Sequence, residues 1–429
     1  MKIDDLKRVI VEQREEIDEI LSKEKIIERE LPAGELLKSL THPNILVISG
    51  IRRSGKSILS LCLLKRESYG YINFDDERLA SIETEDLNRV LQAFYELYGD
   101  RLDYLIFDEI QNIPGWQLFA NRLRRTKRII LTGSNANLLS GELATHLTGR
   151  YLDFILYPFS FREVLKLKGI TFDADSLLST RNIATIKNLM NDYLTLGGFP
   201  EAYKFGKAII SKVYSDIIAR DILFRYRIRD KMTFRELSKY LVSNFAKEVV
   251  FARLSKTFAI KDVHTVRNYV GYLGNSYLIF LVEKFSFKLK QQILAPKKIY
   301  CLDTGLINYV AFQFSDNKGR LMENAVAVEL QRRKAYFNRD LEIYYWKDYS
   351  GREVDFVLKE KQRVKNLLQV SYDLNDISVK EREFRSLIAA SEELGCDQLT
   401  VITWEEEREE KYKGKKIQIV PLWKWLLFN

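Results

Sequence analysis

A parallel α/β sheet is the fold class this sequence predicts, and three observations predict it. Apolar runs recur at Ile45–Ile48, Tyr71–Phe74, Tyr104–Phe107, Ile129–Leu131 and Tyr151–Leu156, most of them separated by stretches long enough for a helix. The first run leads straight into a glycine-rich, lysine-bearing loop, Gly50-Ile-Arg-Arg-Ser-Gly-Lys-Ser57. The third ends in two adjacent carboxylates, Asp108 and Glu109.

The chain has 429 residues, 46% hydrophobic and 30% charged. That is a globular balance, sufficient for more than one core, and it excludes wholesale disorder. At about 100–200 residues per domain, two to four domains are expected. Apolar runs such as Tyr277–Val282 fall far short of the roughly 18 residues of a membrane span. The first residues carry acids and no apolar stretch, so no secretory signal is expected. Cys62, Cys301 and Cys396 show neither CxxC spacing nor even pairing, which fits a reduced cytoplasmic setting and not a zinc site. High Lys, Glu and Ile content leans towards a thermophilic source.

Five segments emerge from the pattern. Residues 1–40 read as charged helix, with Arg8, Glu12, Glu15, Glu16 and Glu19 among Val9, Ile10, Ile17, Ile20 and Leu21, and His42-Pro-Asn44 then punctuates the chain. Residues 41–157 form the α/β core, and 158–230 a helical connector interrupted at Gly197-Gly-Phe-Pro200. Residues 231–305 are helical and then hairpin-like, and 306–429 look α/β again. The positive charge is localised. Residues 206–300 hold 19 Lys and Arg against 7 Asp and Glu, a net of +12; the whole chain carries +9, so the rest sums to −3. A polyanion such as nucleic acid, double-stranded DNA included, is the partner this field points to, with a solvated surface the alternative that charge alone leaves open.

The Gly50–Ser57 loop satisfies GxxxxGK[ST] after a strand and before a helix, the spacing that phosphate binding requires. Gly50, Ile51, Arg52, Arg53, Ser54, Gly55, Lys56 and Ser57 are therefore the expected ATP contacts. Backbone N–H groups wrap phosphate oxygens, Lys56 neutralises the β/γ-phosphates, and the Ser57 hydroxyl ligates Mg²⁺. Arg52 and Arg53 lie inside the loop and shape it. Asp108, at a strand's C-terminal end, is the expected Mg²⁺ partner, and Glu109 beside it the base that orients the attacking water. A further strand ends in Ser134 and Asn135, expected between the loop strand and the Asp108 strand, as in additional-strand P-loop ATPases. Both residues are sensor candidates, and Ser134 can equally cap a helix.

In the basic segment, Thr233–Ser243 and Arg253–Phe258 read as helices. Val263–Leu273 comes next as a third, with Val263, Val266, Val270 and Leu273 on one apolar stripe. Tyr277–Phe287 and Lys297–Leu302 then enclose a basic tip at Lys288 and Lys290. Helix, helix, helix, hairpin is the winged-helix order. If it binds DNA, Arg267 and Asn268 face base edges while Lys288 and Lys290 meet phosphates. The competing use of such a module is protein contact.

These strings, with Tyr71-Ile-Asn-Phe-Asp-Asp76, Asp108-Glu-Ile-Gln-Asn-Ile-Pro-Gly-Trp116, Leu131-Thr-Gly-Ser134, Leu147-Thr-Gly-Arg150, Tyr157-Pro-Phe-Ser-Phe161, Gly197-Gly-Phe-Pro-Glu201 and Gly351-Arg-Glu-Val-Asp-Phe356, resemble the prokaryotic, mainly archaeal, AAA+-type ATPases. That family carries a winged-helix module and a C-terminal restriction-endonuclease-like domain. The resemblance covers nearly the whole chain; the early motifs are shared by many ATPases, the later ones are specific to the family. It implies ATP binding and hydrolysis with Mg²⁺, on an AAA+-type parallel sheet with those two modules after it. Ring assembly is common among AAA+ relatives, so an oligomer is compatible with it. Arg150 could then reach a γ-phosphate in cis as a sensor or in trans as a finger, or serve as a surface arginine.

The resemblance also points to a metal cluster in the C-terminal domain: Glu323 on a helix, Asp355 on a strand, and an acid-x-lysine pair on the next strand. Here Gln369 replaces the acid and Ser371 the lysine. A glutamine carbonyl can still hold a metal, but a serine supplies no cation, so Lys365 or Lys380 would have to substitute. A retained fold used for docking or for nucleic-acid binding is favoured over active cleavage. The readings carried forward are an ATPase acting on DNA, a slow ATP-held switch for a protein partner, and an ATP-licensed nuclease. The terminal Pro421–Asn429 segment is expected to pack as core.

Overall fold

The computed structural model describes residues 1–40, 44–136, 147, 149–173, 176–311 and 318–428. His42 and Pro43 of the punctuation, Thr148 of the Leu147–Arg150 string and Asn429 lie outside them. The chain divides into two compact units, residues 1–157 with 275–277, and residues 158–274 with 278–429.

The first unit holds helices α1 (Ile3–Lys23), α2 (Ala33–Ser39), α3 (Lys56–Leu63), α4 (Leu87–Tyr98) and α5 (Trp116–Leu123) around strands β1 (Ile45–Ser49), β2 (Tyr69–Asn73), β3 (Tyr104–Asp108), β4 (Arg128–Gly133) and β5 (Tyr151–Ile155). All pairings are parallel, in the order β2-β3-β4-β1-β5. The strand ending in Ser134 thus lies between the other two, as expected. The near-continuous apolar runs of β1, β3 and β4 reflect burial on both faces of a parallel sheet. Residues 1–40 depart from the expected single helix. Charge patterning carries across Glu24–Leu31, but Pro32 cannot donate within a helix and stands at the N-cap of α2, so the chain leaves the helix and restarts. Leu6, Val9 and Ile10 of α1 enter the core with Ile72, Phe94, Leu105 and Phe107. Each such buried side chain contributes about 1.5–3 kcal/mol.

The second unit begins with α6 (Phe161–Leu167), whose start is fixed by a capping box between Ser160 and Glu163. Next come α7 (Thr180–Leu196), α8 (Ala202–Phe205), α9 (Lys207–Asp216) and a π-helical stretch at Ile217–Phe224. The basic segment then forms α10 (Lys231–Ser243), β6 (Lys247–Val249), α11 (Phe251–Thr257), α12 (Val263–Asn275), β7 (Ile279–Lys284), α13 (Leu289–Leu294) and β8 (Lys297–Cys301). The tip expected as part of a hairpin therefore contains the one-and-a-half-turn helix α13. After it come α14 (Thr304–Val310), α15 (Lys318–Tyr336), β9 (Leu341–Lys347), β10 (Glu353–Glu360), β11 (Arg363–Val370), α16 (Ile377–Leu394), β12 (Leu399–Thr403), β13 (Arg408–Tyr412), β14 (Lys415–Pro421) and α17 (Leu422–Phe428). Leu422, Trp423, Trp425, Leu426 and Leu427 of α17 are buried, so the terminal segment packs as core.

One sheet runs through this unit in the order β13-β14-β12-β11-β10-β9-β7-β8-β6. The join is short: Glu283 and Lys284 of β7 pair in parallel with Tyr344 and Tyr345 of β9. Hairpin and C-terminal domain share a sheet, a continuity that the division at 305/306 did not anticipate. The Gly197-Gly198 break is explained by Asp303, the N-cap of α14. Its carboxylate accepts from the N–H groups of Gly198 (2.6 Å), Gly305 (2.9 Å) and Leu306 (3.3 Å). Gly197 has φ +75° and a Cβ there would collide with that carboxylate.

Candidate functional sites

In a parallel sheet the loops after the strands collect at the carboxyl edge, where the ends of β1, β3 and β4 bring the predicted residues together. Gly50 has φ +144° and its missing Cβ leaves room for the Leu156 carbonyl, so only glycine permits the loop to turn there. Arg53 takes a left-handed φ of 64° and Gly55 one of 93° as the loop closes onto α3. The Lys56 Nζ donates to the carbonyls of Gly50 and Ile51, both at 3.1 Å, so its ammonium folds back over the loop. The Ser54 hydroxyl is buried with no hydrogen-bond partner. An orphaned donor in a loop of this kind fits a phosphate oxygen. Arg52 faces Asp75 at 3.5 Å.

Asp108 is buried and accepts from the Tyr71 hydroxyl at 2.8 Å and from Thr132 Oγ1, with the Ser57 hydroxyl near enough to favour its charged form. Burial pushes its carboxyl up, the Glu109 charge adding to this, while those hydrogen bonds pull it back. Ser57 in the first turn of α3 and Asp108 at the end of β3 come to the same sheet edge, the placement that a Mg²⁺ ion held by both needs. Glu109 sits in the left-handed region (φ 51°, ψ 37°), an uncommon place for a glutamate and one met at functional turns. Its Oε2 accepts from Gln111 and, at 3.3 Å, from Ser134 Oγ. Ser134 and Asn135 are fully buried at the end of β4. Whether Ser134 also caps a helix turns on residues 137–146, outside the described ones.

Three residues here escaped the sequence reading: Tyr71, Thr132 and Arg29. Arg29, in the break between α1 and α2, donates to Ser54 O (3.0 Å) and Tyr157 O (2.7 Å) and so braces the phosphate loop. Tyr71 and Thr132 lie inside quoted motifs, which was their signal; Arg29 lies in none. Arg150 lies elsewhere. It precedes β5, its carbonyl accepts from Ile45 N at the start of β1, and its guanidinium points to Asn121 at 3.4 Å. That is the amino edge of the sheet, a five-residue strand or about 16 Å from the loop, so the cis sensor role is corrected.

In the second unit, Arg267 and Asn268 are exposed on α12 as expected, Asn268 in contact with His264 at 3.2 Å. Val266, Val270 and Leu273 are buried, whereas Val263 in the first turn is 37% exposed, so the stripe begins one turn later. Lys288 and Lys290 are exposed at the start of α13.

Glu323, Asp355 and Gln369 do converge, but not as an open metal site. Lys298 of β8, 2% exposed, places its Nζ 3.0 Å from Glu323, 2.6 Å from Glu353 and 2.9 Å from Asp355. Gln369 is committed at both ends, its carbonyl accepting from Asp355 N (3.2 Å) and its amide donating to Glu383 (2.6 Å). The expectation that Gln369 ligates a metal is therefore corrected. Lys380 pairs with Glu410, away from the cluster, and Lys365 is exposed; neither replaces the missing lysine. Burial and the neighbouring Asp355 push the Glu323 carboxyl up, against the pull of Lys298. Among the described residues no group of three or more His, Cys, Asp or Glu is arranged to hold a metal. The residues present do not fit a divalent ion.

Among the described residues no helix is long and apolar enough to cross a membrane. Residues 42–165 match the model of an AAA domain, and residues 187–317 and 318–425 match two domains of unknown function. Among solved structures, a Walker-type ATPase of Pyrococcus abyssi aligns with 67% of this chain and 97% of its own at a TM-score of 0.45 and 16% identity. Cdc6p from Pyrobaculum aerophilum aligns with 60% of this chain and 89% of its own, at 0.26 and 14%. At those scores the likeness adds nothing to the assignment. An uncharacterized protein of Haemophilus influenzae is 29% identical over 368 residues, 81% of this chain and 88% of that protein. An uncharacterized protein of Methanocaldococcus jannaschii is 36% identical over 428 residues, 95% of this chain and 93% of that protein. The chain belongs to the family of that Methanocaldococcus jannaschii protein, and its residues 42–165 match an AAA domain.

Proposed function

We propose that the chain is a Mg²⁺-dependent ATPase whose turnover is coupled to DNA binding by the basic α10–β8 module. The observation that carries the ATPase reading is the meeting of Lys56 and Ser57 with Asp108, Glu109 and Ser134 at one sheet edge. The loop backbone and the Ser54 hydroxyl hold phosphate oxygens. Lys56 exchanges its two carbonyl partners for the β/γ-phosphates. Ser57 and Asp108 hold the Mg²⁺, which supplies charge neutralisation when bound. Glu109, oriented by Ser134 and Gln111, positions the attacking water and accepts its proton. Asn135 completes the γ-phosphate sensor.

The DNA reading rests on exposed Arg267, Asn268, Lys288 and Lys290 within a segment of net charge +12. Steady-state ATP hydrolysis by the wild type, Lys56→Ala and Glu109→Gln tests the enzymatic half. Turnover unchanged in both variants removes it. Fluorescence anisotropy with a labelled duplex of about 20 base pairs, long enough to cover one bound module, tests the other half. Binding indifferent to charge reversal at Lys288 and Lys290 removes that.

A further inference from the structure

In the second unit, three carboxylates from α15 and β10 surround one side chain from β8. Glu323, Glu353 and Asp355 all lie within 3.0 Å of the Lys298 Nζ. Other groups hold these carboxylates in place. Tyr300 donates to Glu323 at 2.7 Å, Val370 N to Asp355 Oδ2 at 2.9 Å, and Lys347 lies 3.1 Å from Glu353. The Tyr345 ring stands 5.7 Å from the ammonium. Asp355 reaches the centre because β10 breaks register against β9 between Val354 and Val357, which re-aims its side chain. Lys298, Glu323, Asp355 and Gln369 are each at most 8% exposed, while the Glu353 side chain, at the rim, is 28% exposed.

We infer that Lys298 is the resident cation of this cluster, its ammonium standing where a divalent ion would stand between Glu323 and Asp355. Two lone ionised carboxylates in such a place repel each other and need a cation to stay charged. A metal supplies two charges and open coordination positions for a water and a phosphate. An ammonium supplies one charge, three directed donors and no open position. It donates to Glu323 and Asp355 and pairs with Glu353, so it occupies the space between the carboxylates and gives a phosphodiester oxygen no coordination position. The lysine comes from β8, next to the β7 strand that joins the hairpin to β9. The cluster therefore ties the DNA-facing module to the C-terminal sheet as one body, and the C-terminal domain supports that module instead of cutting. This last step rests on the DNA reading above; the cation assignment does not.

The test is Mn²⁺ binding to the full chain, read by electron paramagnetic resonance without nucleotide. The wild type and Asp355→Asn are expected to bind the same number of ions. Lys298→Met, which keeps the stem and removes the charge, is expected to gain one site. Its Tm, lower than the wild type's by roughly 10 °C, should recover in Mn²⁺, whereas the wild type's Tm stays put. One more ion on the wild type than on Asp355→Asn, or Mn²⁺-dependent plasmid nicking lost in Asp355→Asn, overturns the assignment. So does a folded Lys298→Met that gains no site. If that variant does not fold, the wild-type and Asp355→Asn comparison still decides. None of these readouts depends on DNA binding by Arg267 or Lys288, so the two readings fail separately.

Discussion

Ser134 Oγ donates to Glu109 Oε2 across 3.3 Å, from the end of one strand to the turn after its neighbour. The proposed γ-phosphate sensor and the proposed general base are thereby in direct contact. Glu109→Gln keeps the shape and both contacts but cannot take a proton. It is expected to lower kcat by about 10²–10⁴-fold while leaving ATP affinity within a few-fold. Lys56→Ala should instead lose ATP binding, measured with a fluorescent ATP analogue. A Glu109→Gln enzyme with wild-type kcat contradicts the role.

Tyr71 holds Asp108 through its hydroxyl at 2.8 Å. Burial, then the Asp108 charge, keeps the phenol well above its ordinary range, so it remains a donor at every working pH. Tyr71→Phe removes a bond to a charged group worth about 1.5–3 kcal/mol. Metal dependence is where the loss should show. The Mg²⁺ concentration for half-maximal turnover should rise about tenfold, the equivalent of that energy's lower end, with kcat at saturation little changed.

Asp303 gives a stability prediction with a definite sign. Burial pushes its carboxyl up to about 6, against the three N–H groups that favour the charge. A folded value above the unfolded one means that the stability is fully present below about pH 4. It is then lost as the pH climbs through about 6. The loss is of order 3 kcal/mol at most for a shift of this size. Asp303→Asn lacks the titration and has one fewer acceptor oxygen. It should be the less stable form at about pH 4, with the gap to the wild type narrowing by about pH 7 in urea unfolding. A constant gap contradicts the assignment.

Lys288 and Lys290, exposed at the start of α13, are expected to touch phosphates. The double Lys→Glu variant should weaken duplex binding and reduce the slope of log K against log salt by about 0.9 for each phosphate no longer neutralised. Arg267→Ala should instead change preference between duplex sequences with little change in that slope.

The sequence was legible where chemistry is local. GxxxxGK[ST] demands its glycines and lysine within one short loop, and β1, β3 and β4 announce themselves by apolar runs that only a doubly covered sheet requires. The order placing β4 between β1 and β3 also came from those motifs. Contacts across distance were not legible. Lys298 meets Glu323 25 residues away and Asp355 57 away, and no spacing rule connects a strand lysine to carboxylates so remote. Tyr71 and Thr132 read as ordinary strand residues until the parallel register aligned their strands with β3. α13 was missed because six residues are too few for a helical period to declare itself. The break at Glu24–Leu31 was missed because a run of charges looks the same in helix and in coil. Arg150 misled because position in a motif does not say which edge of a sheet a residue occupies.

The central claim is tested most directly by steady-state ATP hydrolysis, wild type against Glu109→Gln, with and without duplex DNA at two salt concentrations. Turnover is expected to depend on Glu109, to rise with DNA, and to lose that rise at the higher salt. Hydrolysis unaffected by Glu109→Gln contradicts the catalytic assignment. Hydrolysis that needs Glu109 but ignores DNA contradicts the coupling and gives the basic module to a protein partner.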